Sequence, residues 1–447
     1  MKILYIAPIF SPANRIAAVR SSKMAKYLQR AGHEVTVIMS ETENTDVNDK
    51  LLEKDVEDLS QVIRLSNSER YQSIYNRIYG VYAAHKADDG KRPVAAETGG
   101  SCTTVKRNGL KNLVRTWLNI YKSYDFASAA IRYLKTHNIA ADAVVSTYGP
   151  FSSHMIARYY KKKNPTACWI AEYRDLVEYS FDHTLAGMWA RKYWASVNRK
   201  ADVLVAVSKG VAGKMPACEN NEVHVITNGF DPEDCPAVQA DAGRDPRWTM
   251  SYCGALYHNR RNLSLLFRAL RELADEGRID LRQVVCVYAG KDFPQLVSQA
   301  APYGMEQILE NRGFIKREAA IGIQQASDVL LLATWNTTEE QGILSGKFLE
   351  YMMHQHPIVC IVSGNVPNSE VKEIISEYHL GACCEEIGGE SEFLNLKEYL
   401  YSLYQKHSRG ENSMEESAGG AKNFSYSHLA QSLETLLRSN ICHAGNA

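Results

Sequence analysis

The stretch Thr249–Leu270, TMSYCGALYHNRRNLSLLFRAL, reads as a strand, a loop and a helix in direct succession. Thr249–Cys253 is a short, largely apolar run. Gly254–Asn262 is a polar loop with Arg260 and Arg261 side by side. Leu265, Leu266, Ala269 and Leu270 then recur at helical spacing. The chain opens with the same pattern. Ile3–Ala7 is an apolar run, and Ala17, Ser21, Met24 and Leu28 mark a helix that Gly32 stops before the next run, Val35–Met39.

Further runs follow at Ala143–Ser146, Ala167–Ala171, Val203–Val207 and Val223–Ile226, then at Val284–Ala289, Val329–Ala333 and Pro357–Val362. Short Val/Ile/Leu-rich runs alternating with helical periodicity imply parallel strands covered by helices on both faces. The fold class is therefore α/β, with two doubly wound Rossmann-like domains. Domain boundaries are expected at 1–227 and 249–412. The Pro- and Asp-rich stretch 228–248 reads as the linker between them. A polar stretch, His407–Lys422, precedes a last amphipathic helix over 423–440, marked by Leu429, Leu433, Leu436 and Leu437. Lys86–Gly109 has no periodicity and reads as a loop. Two open α/β domains imply a ligand crevice facing the carboxyl ends of their strands.

Composition excludes several classes. With 447 residues, 45% hydrophobic and 23% charged, the chain suits neither disorder nor a small disulfide scaffold. No apolar run reaches the roughly 18–20 residues of a membrane span, and the start lacks the features of a signal peptide. Ten Cys without ligand-like spacing read as free thiols of a cytoplasmic protein. The formal net charge is zero, yet residues 1–205 carry 30 Lys+Arg against 20 Asp+Glu, and the remainder carries the opposite excess. A basic first half points either to an anionic partner or to a solvated face.

The loops after strands carry the chemistry. Pro8–Arg20 contains no glycine, so the Gly-x-Gly-x-x-Gly turn of a dinucleotide site is missing. Arg20 falls in the first turns of the following helix, where it reads as a phosphate contact or as a surface arginine. Arg260 and Arg261 suit a diphosphate. In Gly342–Met352 (GILSGKFLEYM), Gly and Ser expose backbone N–H groups and Lys347 adds a point charge. Glu350 lies one turn further on, where a carboxylate can accept from vicinal ribose hydroxyls; the alternatives are a helix-surface charge for Glu350 and a snorkelling side chain for Lys347. His354-Gln355-His356 is too tight for a metal site, and no other metal spacing is present.

These stretches, taken with Gly32-His33-Glu34-Val35, Glu172-Tyr173-Arg174-Asp175, Thr227-Asn228-Gly229-Phe230 and Gly313-Phe314-Ile315, form a pattern. From residue 1 to about 440 the chain resembles the GT-B-fold retaining glycosyltransferases of family 4, the type that builds bacterial polysaccharides and glycoconjugates. The resemblance implies a transferase that moves a sugar, with retention, from a nucleotide-diphosphate sugar to a hydroxyl acceptor in cell-surface polysaccharide or glycolipid synthesis. It implies no cofactor and no metal. Arg261, joined by Arg260, and Lys347 would neutralise the diphosphate. Leu344, Ser345 and Gly346 would pass near it, Glu350 would bind the ribose, and Ile315 would lie beside the base. Asp175 would face the acceptor or the donor sugar; its alternative is a helix N-cap or an ion pair with Arg174.

The family's paired Glu is incomplete, because Gly342 occupies the position eight before Glu350; Glu339 and Glu340 lie nearby. The implied acceptor is lipid-linked or a saccharide. The basic first domain would lie peripherally on the inner face of the plasma membrane; in 112–133 the apolar residues read as a helix packing on its own sheet and the charged ones as facing that surface. Nucleic acid is not expected, since no aromatic platform accompanies the basic residues. A nucleotide-sugar 2-epimerase and a catalytically silent scaffold or partner subunit are the competing readings.

Overall fold

The computed structural model describes residues 1–13, 15–41, 49–86, 109–174, 185–215, 222–234, 245–411 and 421–444. The elements in the first half are β1 (Lys2–Ile6), α1 (Ile16–Arg30), β2 (Glu34–Ser40), α2 (Lys50–Asp55), β3 (Gln61–Leu65), α3 (Glu69–Lys86) and α4 (Gly109–Thr136). They continue with β4 (Ala143–Tyr148), α5 (Ser152–Lys163), β5 (Cys168–Tyr173), α6 (Leu185–Asn198), β6 (Val203–Ala206), α7 (Lys209–Lys214) and β7 (Val223–Val225). The second half holds β8 (Trp248–Cys253), α8 (Ser264–Asp275), β9 (Val284–Ala289), α9 (Phe293–Ala300), β10 (Leu309–Asn311) and α10 (Arg317–Ala326). It ends with β11 (Val329–Trp335), α11 (Gly346–Met352), β12 (Ile358–Ser363), α12 (Glu370–Glu377), β13 (Gly381–Glu385), α13 (Gly389–Ser408) and α14 (Tyr426–Ala444).

Parallel neighbours need a crossover, and the helices between strands supply them. The strands order as β3-β2-β1-β4-β5-β6-β7 in one sheet and β10-β9-β8-β11-β12-β13 in the other. Every neighbouring pair of the second sheet is parallel. The chain groups into two compact units. The first comprises Met1–Val205, Pro216–Glu222 and the chain from Glu434; the second comprises Ala206–Met215 and Val223–Leu433. The end of α14 thus groups with the first unit, whereas the segment carrying α7 groups with the second.

Alternation along a strand divides the core of the second unit between its two sheet faces. Leu331 and Ala333 of β11 join Met250, Tyr252, Cys286 and Tyr288 beneath α8 and α13. Leu330 and Leu332 join Ile358 and Cys360 beneath α11 and α12. Burying each Leu, Ile or Met among these stabilises the unit by about 1.5–3 kcal/mol.

In the first unit, part of the basic excess is internal. Lys23 and Lys26 of α1 are buried and both pair with Asp55 of α2. Lys161 pairs with Asp202 at 2.7 Å. Lys162 and Lys163 are exposed. The stretch 112–133 lies within α4, where Leu118 and Phe126 are buried while Trp117, stacked on Tyr121 at 5.5 Å, is 52% exposed. Lys106 and Arg107 lie outside the described residues, as does most of the expected loop over 86–109. Among the described residues, no helix is long and apolar enough to cross a membrane.

Candidate functional site

In the second sheet, β8, β9 and β10 run outward to one side, and the chain then returns to place β11 on the other side of β8. Loops leaving the carboxyl ends of β8 and β11 therefore diverge. In open α/β sheets such a switch point is where ligands bind.

The loop after β8 begins at Gly254, whose φ is +130°. A Cβ there would lie 2.2 Å from Cε and Nζ of Lys347. Glycine tolerates this φ, and its missing side chain leaves room for that ammonium beside the backbone. Tyr257, His258 and Asn259 follow with φ of 49°, 52° and 65°, three left-handed non-glycine residues in a row. Each is costly by itself, so the surroundings must hold the loop in place. Gln299 of α9, which is buried, donates to the side-chain oxygen of Asn259 (3.1 Å) and to the Arg261 carbonyl (3.0 Å), and accepts from the Leu263 N–H (2.9 Å). Asp292 accepts from the Leu256 N–H at 2.7 Å. No local pattern marks Gln299 or Asp292 as loop supports, because their partners lie more than thirty residues away.

This loop aims its two arginines differently. Arg260 pairs with Glu340 at 2.6 Å and lies over the Trp335 ring at 4.0 Å. Trp335 Nε1 also donates to Glu340. The pairing compensates the Arg260 charge. Arg261 is 7% exposed and donates to the Ala255 carbonyl at 3.1 Å, with its guanidinium 4.5 Å from the Tyr257 ring centroid. Its Nε is buried without a hydrogen-bond partner.

Lys347 comes from α11, whose N-terminus is capped by Ser345 accepting from the Phe348 N–H. Its stem is half-buried and its Nζ is inaccessible, 4.2 Å from the centre of the Tyr252 ring and without a hydrogen-bond partner. Burial, and next the neighbouring Arg261 charge, hold the Lys347 ammonium well below its ordinary pKa. Two basic side chains thus meet at the switch point with hydrogen-bonding capacity unused.

The other expected residues are distributed around them. Glu350, one turn along α11, accepts from Gln324 Nε2 at 2.9 Å and from Arg317 Nε at 3.2 Å. Leu344 packs at the edge of the core under α11, and Gly346 is that helix's first residue. Ile315 is half-buried on the loop after β10, next to Phe314, which is 75% exposed beneath the Lys291 ammonium. Glu339 is exposed. Asp175 lies outside the described residues. Arg20 differs from both sequence readings, phosphate contact and surface residue. It belongs to the first unit, is fully buried and pairs with Glu172 at 2.6 Å. His354 and His356 are buried and bond to Gln324 and to the Gln325 carbonyl, not to each other as a metal pair.

At Gly342 the structure explains the missing glutamate. Its φ is +69°, and a Cβ would meet Gly210 Cα at 2.5 Å; conversely, a Cβ on Gly210 would meet the Gly342 Cα at 2.6 Å. The two glycines pack backbone against backbone, so no side chain fits at either position. Gly342→Glu should therefore destabilise the protein by at least about 2 kcal/mol. Chemical denaturation measures it, and a variant of unchanged stability would show that the glycine contact is dispensable.

Comparison with known proteins agrees with this architecture. Residues 247–385 match the family model described as Glycosyl transferases group 1. Sucrose-phosphate synthase from Thermosynechococcus elongatus superposes with TM-score 0.57 at 11% identity, covering 99% of this chain and 100% of that one. TarM superposes at 0.55 and 11% identity, covering 98% of each chain. The E. coli protein described as trehalose-6-phosphate bound with UDP-2-fluoro glucose superposes at 0.54 and 13% identity, covering 98% and 99%. The fold is that of the GT-B glycosyltransferases. A sequence search of curated proteins finds no match. Identities this low establish the architecture, and the chemistry rests on this chain's own side chains.

Proposed function

We propose that the protein is a glycosyltransferase that takes a sugar from a nucleotide-diphosphate donor and transfers it to a hydroxyl acceptor with retention of anomeric configuration. The observation that carries this reading is the meeting of Arg261 and Lys347 at the switch point, buried, with an unpartnered Nε and an unpartnered Nζ. A diphosphate would supply the missing acceptors and relieve the repulsion between the two cations. The family match over the same stretch supports it, as does the fold shared with a protein whose description includes a bound UDP-sugar analogue.

In this reading the bond from the anomeric carbon to the diphosphate breaks, and its electron pair passes to the departing oxygen. Arg261 and Lys347 stabilise the charge that develops there. The acceptor hydroxyl adds from the same face and gives its proton to the leaving phosphate. Two protein cations do the work that a divalent ion does elsewhere, so turnover is expected to survive EDTA. Activity lost in chelator and restored by manganese or magnesium would count against the mechanism.

Calorimetry with ADP, CDP, GDP and UDP tests the donor site directly. At least one should bind, and Arg261→Ala should weaken it by about 1.5–3 kcal/mol. Equal affinity in wild type and variant would remove Arg261 from the site.

The acceptor in this reading is lipid-linked or a saccharide, and the protein works in cell-surface polysaccharide or glycolipid synthesis. The exposed Trp117, Lys162 and Lys163 of the first unit support a peripheral contact with the anionic inner face of the plasma membrane. Cosedimentation should then rise with the anionic lipid content of vesicles and fall with salt; equal binding to neutral vesicles would exclude it.

A further inference from the structure

A buried chain of polar groups runs behind Glu350 and has no part in the chemistry described so far. Arg317 and Gln324 lie seven residues apart on α10, two helical turns, and so share one face. Both reach Glu350, Arg317 at Oε2 and Gln324 at Oε1. Arg317 is partly exposed, whereas Gln324 is 1% exposed and extends the chain inward to His354 of the α11 C-terminal turn, itself 5% exposed.

The hydrogen-bond directions follow from chemistry. A carboxylate only accepts, so Gln324 must present its amide nitrogen to Glu350 and its oxygen to His354. His354 Nε2 then carries the proton it donates to that oxygen at 2.8 Å. Burial holds the ring neutral, moving its pKa down to about 4. A neutral ring with its proton on Nε2 fixes the Gln324 carboxamide in one orientation, and Gln324 in turn fixes the Glu350 carboxylate.

We infer that Gln324 and His354 are positioning residues that hold Glu350 in the orientation needed to accept both hydroxyls of a donor ribose. The inference rests on the donor-site reading above. Glu350 is 20% exposed, so its oxygens are held from the protein side and keep outward lone pairs for a diol. A carboxylate fixed before the ligand arrives loses less freedom on binding.

The test compares the tightest-binding ribonucleoside diphosphate among ADP, CDP, GDP and UDP with its 2′,3′-dideoxy counterpart by calorimetry. In wild type the dideoxy form should bind at least about tenfold more weakly. In Gln324→Met, which keeps volume and loses the donor, that ratio should fall below about threefold while the dideoxy form keeps its wild-type affinity. His354→Phe should lower the ratio in the same direction and provides the second variant should Gln324→Met fold poorly. A purely structural role would weaken both ligands alike and leave the ratio unchanged, which overturns the inference. Glu350→Gln separates the two levels. If no diphosphate binds wild type, the donor reading fails and takes the inference with it; a ratio that survives in Glu350→Gln removes Glu350 from the ribose and overturns the inference while the diphosphate contacts stand. A ratio lost in Glu350→Gln but intact in Gln324→Met and His354→Phe overturns the inference alone.

Discussion

Lys347→Met is expected to change binding and stability in opposite directions. Nucleoside diphosphate affinity should fall about 10–100-fold, the scale of a charge-assisted contact. The ligand-free protein should become more stable by about 1–2 kcal/mol, because an ammonium enclosed without a hydrogen-bond partner is exchanged for an apolar chain of similar length. The sign of the pH dependence follows from the depressed pKa of Lys347. Between its folded value and the unfolded value of about 10.4, the unfolded chain binds more protons than the folded one. Stability of the wild-type protein therefore rises with pH across that window, and Lys347→Met should remove this contribution to the slope. Diphosphate affinity behaves oppositely. Binding favours the charged amine, so affinity should decline as pH rises above the ligand-free pKa, with proton uptake on binding in that range. Denaturation at several pH values and calorimetry in buffers of different ionisation enthalpy read both effects. A Met variant that is less stable and binds as tightly as wild type would show that Lys347 is a packing residue.

The surroundings of Lys347 show how much could be read from the sequence. β9 was legible to the residue, since Val284–Ala289 is an apolar run between polar turns, and Val329–Ala333 fell short only by the two polar-edged residues Thr334 and Trp335 that extend β11. The convergence of Arg261 and Lys347 was legible for a related reason. A topology of parallel strands gathers the loops after neighbouring strands at one edge, whatever their separation in sequence. The supports were not legible. Arg260 meets Glu340 across 80 residues, and Gln324 meets Glu350 across 26, so no local period could reveal either pair. Charge counting failed at α1 for the complementary reason. It counts each Arg and Lys alike, whereas Lys23 and Lys26 both pair with the carboxylate of Asp55.

Arg20 is the sharpest case of that failure, and Arg20→Ala should be the most destabilising single change considered. Nε and a terminal nitrogen of Arg20 both donate to Glu172 Oε1, at 3.1 and 2.6 Å, and both side chains are fully buried. Removing the guanidinium leaves a carboxylate enclosed in the first unit, with its other oxygen already lacking a hydrogen-bond partner. Breaking a buried pair by removing one member costs about 3–5 kcal/mol, mostly the penalty of the charge left behind. The double replacement Arg20→Met with Glu172→Leu removes both charges and fills the space with apolar atoms, so it should recover most of that loss. The cycle also separates structure from ligand binding. Arg20 belongs to the first unit, while Arg261 and Lys347 belong to the second, so the double variant should bind nucleoside diphosphate like wild type. Denaturation of the single and double variants, followed by calorimetry on the double, decides the matter. A stable Arg20→Ala that loses diphosphate affinity would restore Arg20 as a ligand contact and overturn the structural assignment.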